Sequence, residues 1–241
     1  MRSKNLLATI LMVAIFLSSC KQDYIAIDYT NAKGEVPQLG NLVFRFNNLL
    51  VADSLTDNWD STEYVSFEPN IEGRFRWDGP DQLVFSPLKP LLPATTYKAK
   101  MNKDVLRYSK YDKVKDGDKI TFHTAPLALN NAQVTWVLQD EGTRKAVPQV
   151  NLQFNYKIKS DAVKDKIRIE VDGVKTDFVV NNLSDSRDMA IRLPQFKPED
   201  KTYEARVIVE KGITPVDGNN ETEEAINTLL SIPSPYVLNV N

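Results

Sequence analysis

The chain has 241 residues, a formal net charge of −2, 42% hydrophobic and 26% charged residues, and only one histidine and one cysteine. That length admits one or two ordinary cores. The balanced charge argues against a general polyanion binder such as a nucleic-acid protein, and a single cysteine excludes an intramolecular disulfide. With one histidine, His123, a His-rich zinc site cannot be built and any Ser-His-Asp or Cys-His arrangement would have to use that residue.

The first twenty residues read MRSKNLLATILMVAIFLSSC. Arg2 and Lys4 precede an apolar run from Leu6 to Leu17, too short for a membrane-spanning helix but suited to the core of a signal peptide. Leu17-Ser18-Ser19-Cys20 resembles the bacterial lipobox. The resemblance implies cleavage before Cys20 and its lipidation, which makes Cys20 the lipid-attachment site and the membrane a partner through that anchor. Several acyl chains hold more firmly than one. Lys21-Gln22-Asp23 has no Asp directly after the cysteine, which favours the outer membrane and leaves its periplasmic and surface faces open.

Residues 20–38 are polar without a clear period and read as a lipidated tether. Alternation then takes over. Leu42-Val43-Phe44-Arg45-Phe46 places Leu42, Phe44 and Phe46 on one face, and Val150, Leu152, Phe154 and Tyr156 repeat the pattern, as half-buried strands do. Further strands are expected at 64–67, 74–77, 83–85, 96–101, 119–123, 133–138, 167–171, 176–180, 189–193 and 203–209. Asp-Gly pairs at 78, 116, 172 and 217 mark turns, and short helical turns are expected at 161–165 and 221–230.

The halves match each other. Leu42–Phe46 aligns with Leu152–Tyr156 at an offset of 110, Leu88-Lys89-Pro90 with Phe196-Lys197-Pro198 at 108, and Thr96–Met101 with Thr202–Val207 at 106. Three matches in order indicate a duplicated domain. The expected fold is all-β: two tandem immunoglobulin-like β-sandwich domains, residues 39–127 and 128–232, after a signal peptide at 1–19 and a tether at 20–38, with 233–241 as a linker running toward a further strand. Tyr97 and Tyr203 each follow a proline-containing corner, where a tyrosine can bury its ring and return its hydroxyl to backbone.

The segment GRFRWDGPDQLVF, Gly73–Phe85, reads as strand, turn, strand. Alternation puts Phe75 and Trp77 inside and Arg74 and Arg76 outside. A core hairpin therefore fits better than a surface for single-stranded nucleic acid, which presents aromatics and cations together. Glu68-Pro69, Gly73, Phe75, Trp77, Leu83, Phe85, Pro87, Leu91, Pro93 and Tyr97 resemble the N-terminal macroglobulin-type domains of bacterial α2-macroglobulin-like proteins.

The resemblance implies macroglobulin-type sandwiches serving as a non-catalytic scaffold of an envelope protease inhibitor. Proteases would be partners through the longer protein, and no cofactor, metal or catalytic residue is implied. The thioester and bait segment used by many such proteins are absent from this sequence, so it reads as the N-terminal piece of a longer inhibitor or a truncated relative. The alternative is a freestanding surface lipoprotein that binds a glycan or protein, with Trp59 and Trp136 as candidate contacts. An enzyme reading built on Asp112, Asp116 and Asp118 is disfavoured, because they sit in a lysine-rich turn without the spacing of a calcium loop. Glu221–Glu224 reads as a solvated acidic face.

Overall fold

The computed structural model describes residues 24–139, 142, 145–181 and 184–236. Cys20, the signal peptide and the end of the C-terminal linker lie outside the described residues. Eighteen strands follow in order: β1 Tyr24–Thr30, β2 Gly34–Val36, β3 Leu42–Phe46, β4 Trp59–Asp60, β5 Val65–Glu68, β6 Gly73–Trp77, β7 Gln82–Pro87, β8 Thr96–Met101, β9 Lys113–Lys115, β10 Ile120–Thr124, β11 Leu129–Leu138, β12 Ala146–Ile158, β13 Ile167–Val171, β14 Val174–Lys175, β15 Val179–Val180, β16 Ser186–Arg192, β17 Tyr203–Val209 and β18 Ile226–Ile232. Among the described residues, one short α-helix, α1 at Ser160–Lys164, and two 3-10 turns complete the elements.

The fold is all-β, with four sheets. Their strand orders are β4-β6-β7-β3-β1-β9, β2-β10-β8-β5, β11-β12-β16-β15 and β14-β13-β17-β18. By packing, one compact unit comprises, of the described residues, 24–31 with Asn41–Ser86 and Ala99–Ile120. The other comprises Ala32–Gly40, Pro87–Lys98 and the described residues within 121–236.

The duplication is visible in the strand order. The series β1-β3-β7-β6 recurs as β11-β12-β16-β15, and β5-β8-β10 recurs as β13-β17-β18. Register corrects the alignment read from sequence. Phe46 pairs with Ile27 and Phe44 faces Leu83 across β3, while Phe154 pairs with Leu129 and Leu152 faces Met189 across β12. Phe46 therefore corresponds to Phe154 rather than Tyr156. A two-residue slip keeps every side chain on its own face, so alternation alone could not detect it. A second pair of bonds agrees with this register. Asn47 receives the Ala26 amide on its side-chain oxygen at 3.0 Å and donates its own amide to the Ala26 carbonyl, and Asn155 does the same with Ala128.

In the first unit the inner face of the hairpin β6–β7 supplies the core. Phe75, Trp77, Leu83 and Phe85 are buried, while Arg74 is exposed and Arg76 half-exposed. Phe85 of β7 meets Phe67 of β5 with centroids 4.7 Å apart, and Phe75 lies 4.7 Å from the same ring. Tyr64 meets Phe75 and Trp77 edge-on. Such contacts add to the roughly 1.5–3 kcal/mol that burying each large apolar side chain contributes. Gly73 permits this packing, since a β-carbon there would fall into the Phe85 ring and 2.6 Å from the Ser86 carbonyl oxygen.

Two expectations are corrected. Residues 24–36 are not tether, because β1 and β2 are integral strands with Ile25, Ala32 and Val36 buried. A bulge between Ile27 and Tyr29 interrupts the period-two pattern that would have exposed β1 in the sequence. Asn31 then fastens the strand's exit, accepting the Val43 amide at 2.8 Å and donating to the Asn41 carbonyl at 2.9 Å. The turn expected at 221–230 is likewise extended. Thr222 is buried and exchanges backbone bonds with Gly212 and Ile213, and β18 pairs with β17 along its length.

Candidate functional site

The two corner tyrosines do the same structural work. The Tyr97 hydroxyl accepts the Leu92 amide at 2.8 Å, and the Tyr203 hydroxyl accepts the Glu199 amide at 2.6 Å. Both rings are buried, with Tyr97 stacked on Phe122 at 5.2 Å and Tyr203 edge-on to Phe196 at 4.8 Å. Burial raises the Tyr97 hydroxyl above its ordinary value near 10, outweighing the Leu92 amide that favours the ionised form. A hydroxyl held neutral and tied to backbone is a fastening and offers no nucleophile.

The other candidates from sequence are dispersed. His123 lies on β10, with Nδ1 3.1 Å from the Thr124 carbonyl oxygen. It borders a groove in the second unit, of about 810 Å³, that also includes Thr96, Leu127, Asn220, Glu221 and Glu224. Asp116 occupies a left-handed turn with φ 54° and pairs with Lys119 at 2.8 Å. The hydrogen bond and charge of Lys119 hold the Asp116 carboxyl below the usual carboxylate range. Asp112, Asp116 and Asp118 share a cleft with Lys100, Lys103 and Lys113. Among the described residues no group of three histidine, cysteine, aspartate or glutamate side chains could hold a metal ion. No helix among them is long and apolar enough to cross a membrane.

The two tryptophans separate. Trp136 rests against the second unit's core, 6.1 Å from Phe196, and its indole N–H donates to the Pro233 carbonyl at 3.0 Å. Trp59 is 42% exposed on β4, with the Arg76 guanidinium over its ring at 4.9 Å.

Trp59 belongs to a surface that sequence reasoning missed. On the outer face of the six-stranded sheet, Arg45 lies over Tyr29 at 5.4 Å and Lys115 over Tyr24 at 5.7 Å. Pairing puts Tyr29 opposite Arg45 and Trp59 opposite Arg76, so each aromatic stands beside the cation of its neighbouring strand. Two of the three rings come from β1, the strand that reads as tether. The signal available was Ile25 and Ile27 spaced two apart between Tyr24, Ala26 and Asp28. Cation–aromatic pairs of this kind suit a polar, anionic or planar partner; they supply neither a base nor a nucleophile.

No family model matches the chain, and no curated protein does. Among solved structures it is similar to the crystal structure of L,D-transpeptidase 3 from Mycobacterium tuberculosis, at 12% identity over 84% of this chain and 74% of that one. The TM-score of 0.27 is too low to carry fold or chemistry from one to the other.

Proposed function

We propose that this chain is a non-catalytic scaffold of tandem immunoglobulin-like domains, anchored to the bacterial envelope through lipid on Cys20 and serving as the N-terminal portion of an α2-macroglobulin-like protease inhibitor. The observation that carries the reading is the duplicated corner, Tyr97 to Leu92 and Tyr203 to Glu199, within duplicated strand order. Repetition of a self-contained fastening without associated chemistry is what a stacked scaffold requires. The signature from Gly73 to Tyr97 supports it too, since Phe75, Trp77, Leu83, Phe85, Leu91 and Tyr97 are all buried. The protease-engaging parts of such an inhibitor would belong to the longer protein, and the outer membrane is its proposed location.

The second reading, a freestanding surface lipoprotein that binds a glycan or protein, is favoured by one observation: Trp59 and Tyr29 are exposed beside Arg76 and Arg45. An antiserum against residues 24–236, used to blot membrane fractions of the source cells, separates the two. The scaffold reading expects a product far larger than 27.3 kDa whose mobility changes after limited protease exposure while the protease stays bound. A membrane-bound product near that mass, indifferent to protease, sinks the scaffold reading and leaves the second.

A further inference from the structure

We propose that the end of the first sheet where β1 and β9 begin is a membrane-facing surface, which rests on the anionic phospholipid headgroups of the bilayer that holds the Cys20 acyl chains. The inference rests on the lipoprotein reading and adds an orientation to it. Because β1 starts at Tyr24, only four peptide steps separate its first residue from Cys20, a reach of about 14 Å at full extension. β1 and β9 run parallel, with Tyr24 opposite Lys113 and Ala26 opposite Lys115. The chain therefore enters the fold beside the start of β9, and the residues leading into β9 share that end of the sheet.

Those residues have the composition of a headgroup-facing surface. From Lys103 to Lys113 there are four Lys or Arg and two Asp, in a chain whose total is −2. Lys103, Arg107, Lys110 and Lys113 are exposed. Arg107 pairs with Asp104, and Lys115 of β9 lies over Tyr24. Tyrosines are interleaved: Tyr24 and Tyr108 are 52% and 57% exposed, and Lys110 lies over Tyr111 at 5.6 Å. Tyrosine rings seat at the membrane–water boundary, and each lysine or arginine close to an anionic surface contributes about 1 kcal/mol. That attraction decays over about 8 Å at physiological salt, so it acts only if the tether is short. A tether reaching to residue 38 would remove that constraint; a strand that begins at Tyr24 imposes it. The acyl chains supply the affinity, and this end of the sheet sets the orientation.

The test uses the full chain, purified in its lipidated form from bacterial membranes and added to preformed vesicles. Flotation with phosphatidylcholine vesicles, together with the mass of the N-terminal peptide, reads the anchor alone. An impermeant amine-reactive reagent then reports Lys110 and Lys113 by mass spectrometry, on phosphatidylcholine and on an equimolar mixture with phosphatidylglycerol. The expected result is about fivefold less labelling of these two lysines on the anionic vesicles, matching about 1 kcal/mol per lysine. The difference should vanish in high salt. Protein that floats but labels equally on both vesicles overturns the orientation while leaving the lipid anchor intact. Protection that grows with protein density, whatever the lipid charge, assigns the surface to a second copy and overturns it as well. Protein that carries no acyl mass and does not float overturns both readings.

Discussion

The two copies of the domain share strand order and fastenings but fill their interiors differently. Around β6 and β7 the core is aromatic, with Phe44, Phe46, Phe67, Phe75, Trp77 and Phe85 buried together with Tyr64. Around β12 and β16 it is mostly aliphatic: Val150, Leu152, Met189 and Ile191 face Ile169 and Val207 within one cluster. Phe44 corresponds to Leu152 and Phe85 to Ile191 by register. What both retain are the polar fastenings, the corner tyrosine and the asparagine that exchanges bonds with Ala26 or Ala128. Apolar side chains can be exchanged if volume is conserved across the layer. A backbone amide needs an acceptor whatever apolar side chains lie beneath it.

The largest test of this contrast is Phe85→Ala against Ile191→Ala. Removing Phe85 deprives two rings at 4.7 Å of their partner and should cost about 3–5 kcal/mol in urea unfolding, against about 2–5 for the aliphatic site. A smaller loss at Phe85 than at Ile191 would break the contrast. Gly73→Ala should cost about 1–3 kcal/mol by overpacking, because the added carbon meets Phe85 and backbone, and thermal melts read it directly. Tyr97→Phe and Tyr203→Phe should each cost about 0.5–1.5 kcal/mol by removing a part-buried hydrogen bond to backbone. The two values should agree closely and add in the double variant; a cost at one site only would show that the corner is not a shared device.

The smallest effect is on alkaline stability. Burial raises the hydroxyls of Tyr64, Tyr97 and Tyr156 above their ordinary value near 10. Their contribution is complete below about pH 10, where the unfolded tyrosines are also protonated. It is lost as pH rises through the folded values, because the unfolded chain then releases protons first. Urea midpoints should fall as pH rises above about 10. Tyr156→Phe should shrink that fall, and an unchanged slope would remove this tyrosine from the account.

Much of the fold was legible because strands with one buried face announce themselves by period two. Phe75 and Trp77 against Arg74 and Arg76 is the clearest instance, and the tyrosine corner followed from a ring and hydroxyl that had to be satisfied together. β1 was not legible, since its bulge breaks the period between Ile27 and Tyr29 and its outer residues are aromatic. The repeat was legible but misregistered, because a two-residue slip leaves every face unchanged. The basic-aromatic surface depends on which strands are neighbours: Trp59 and Arg76 are 17 positions apart in sequence and directly opposed across β4 and β6.

The pairing of β1 also has a mechanical consequence. This strand is held by β3 on one side and by the parallel β9 on the other, with hydrogen bonds running across its axis. A pull at Tyr24 along the strand axis would load those bonds together in shear, whereas a pull across the sheet would peel them one at a time. β1 would then be a clamp that resists extraction along its length and yields to tearing from its edge.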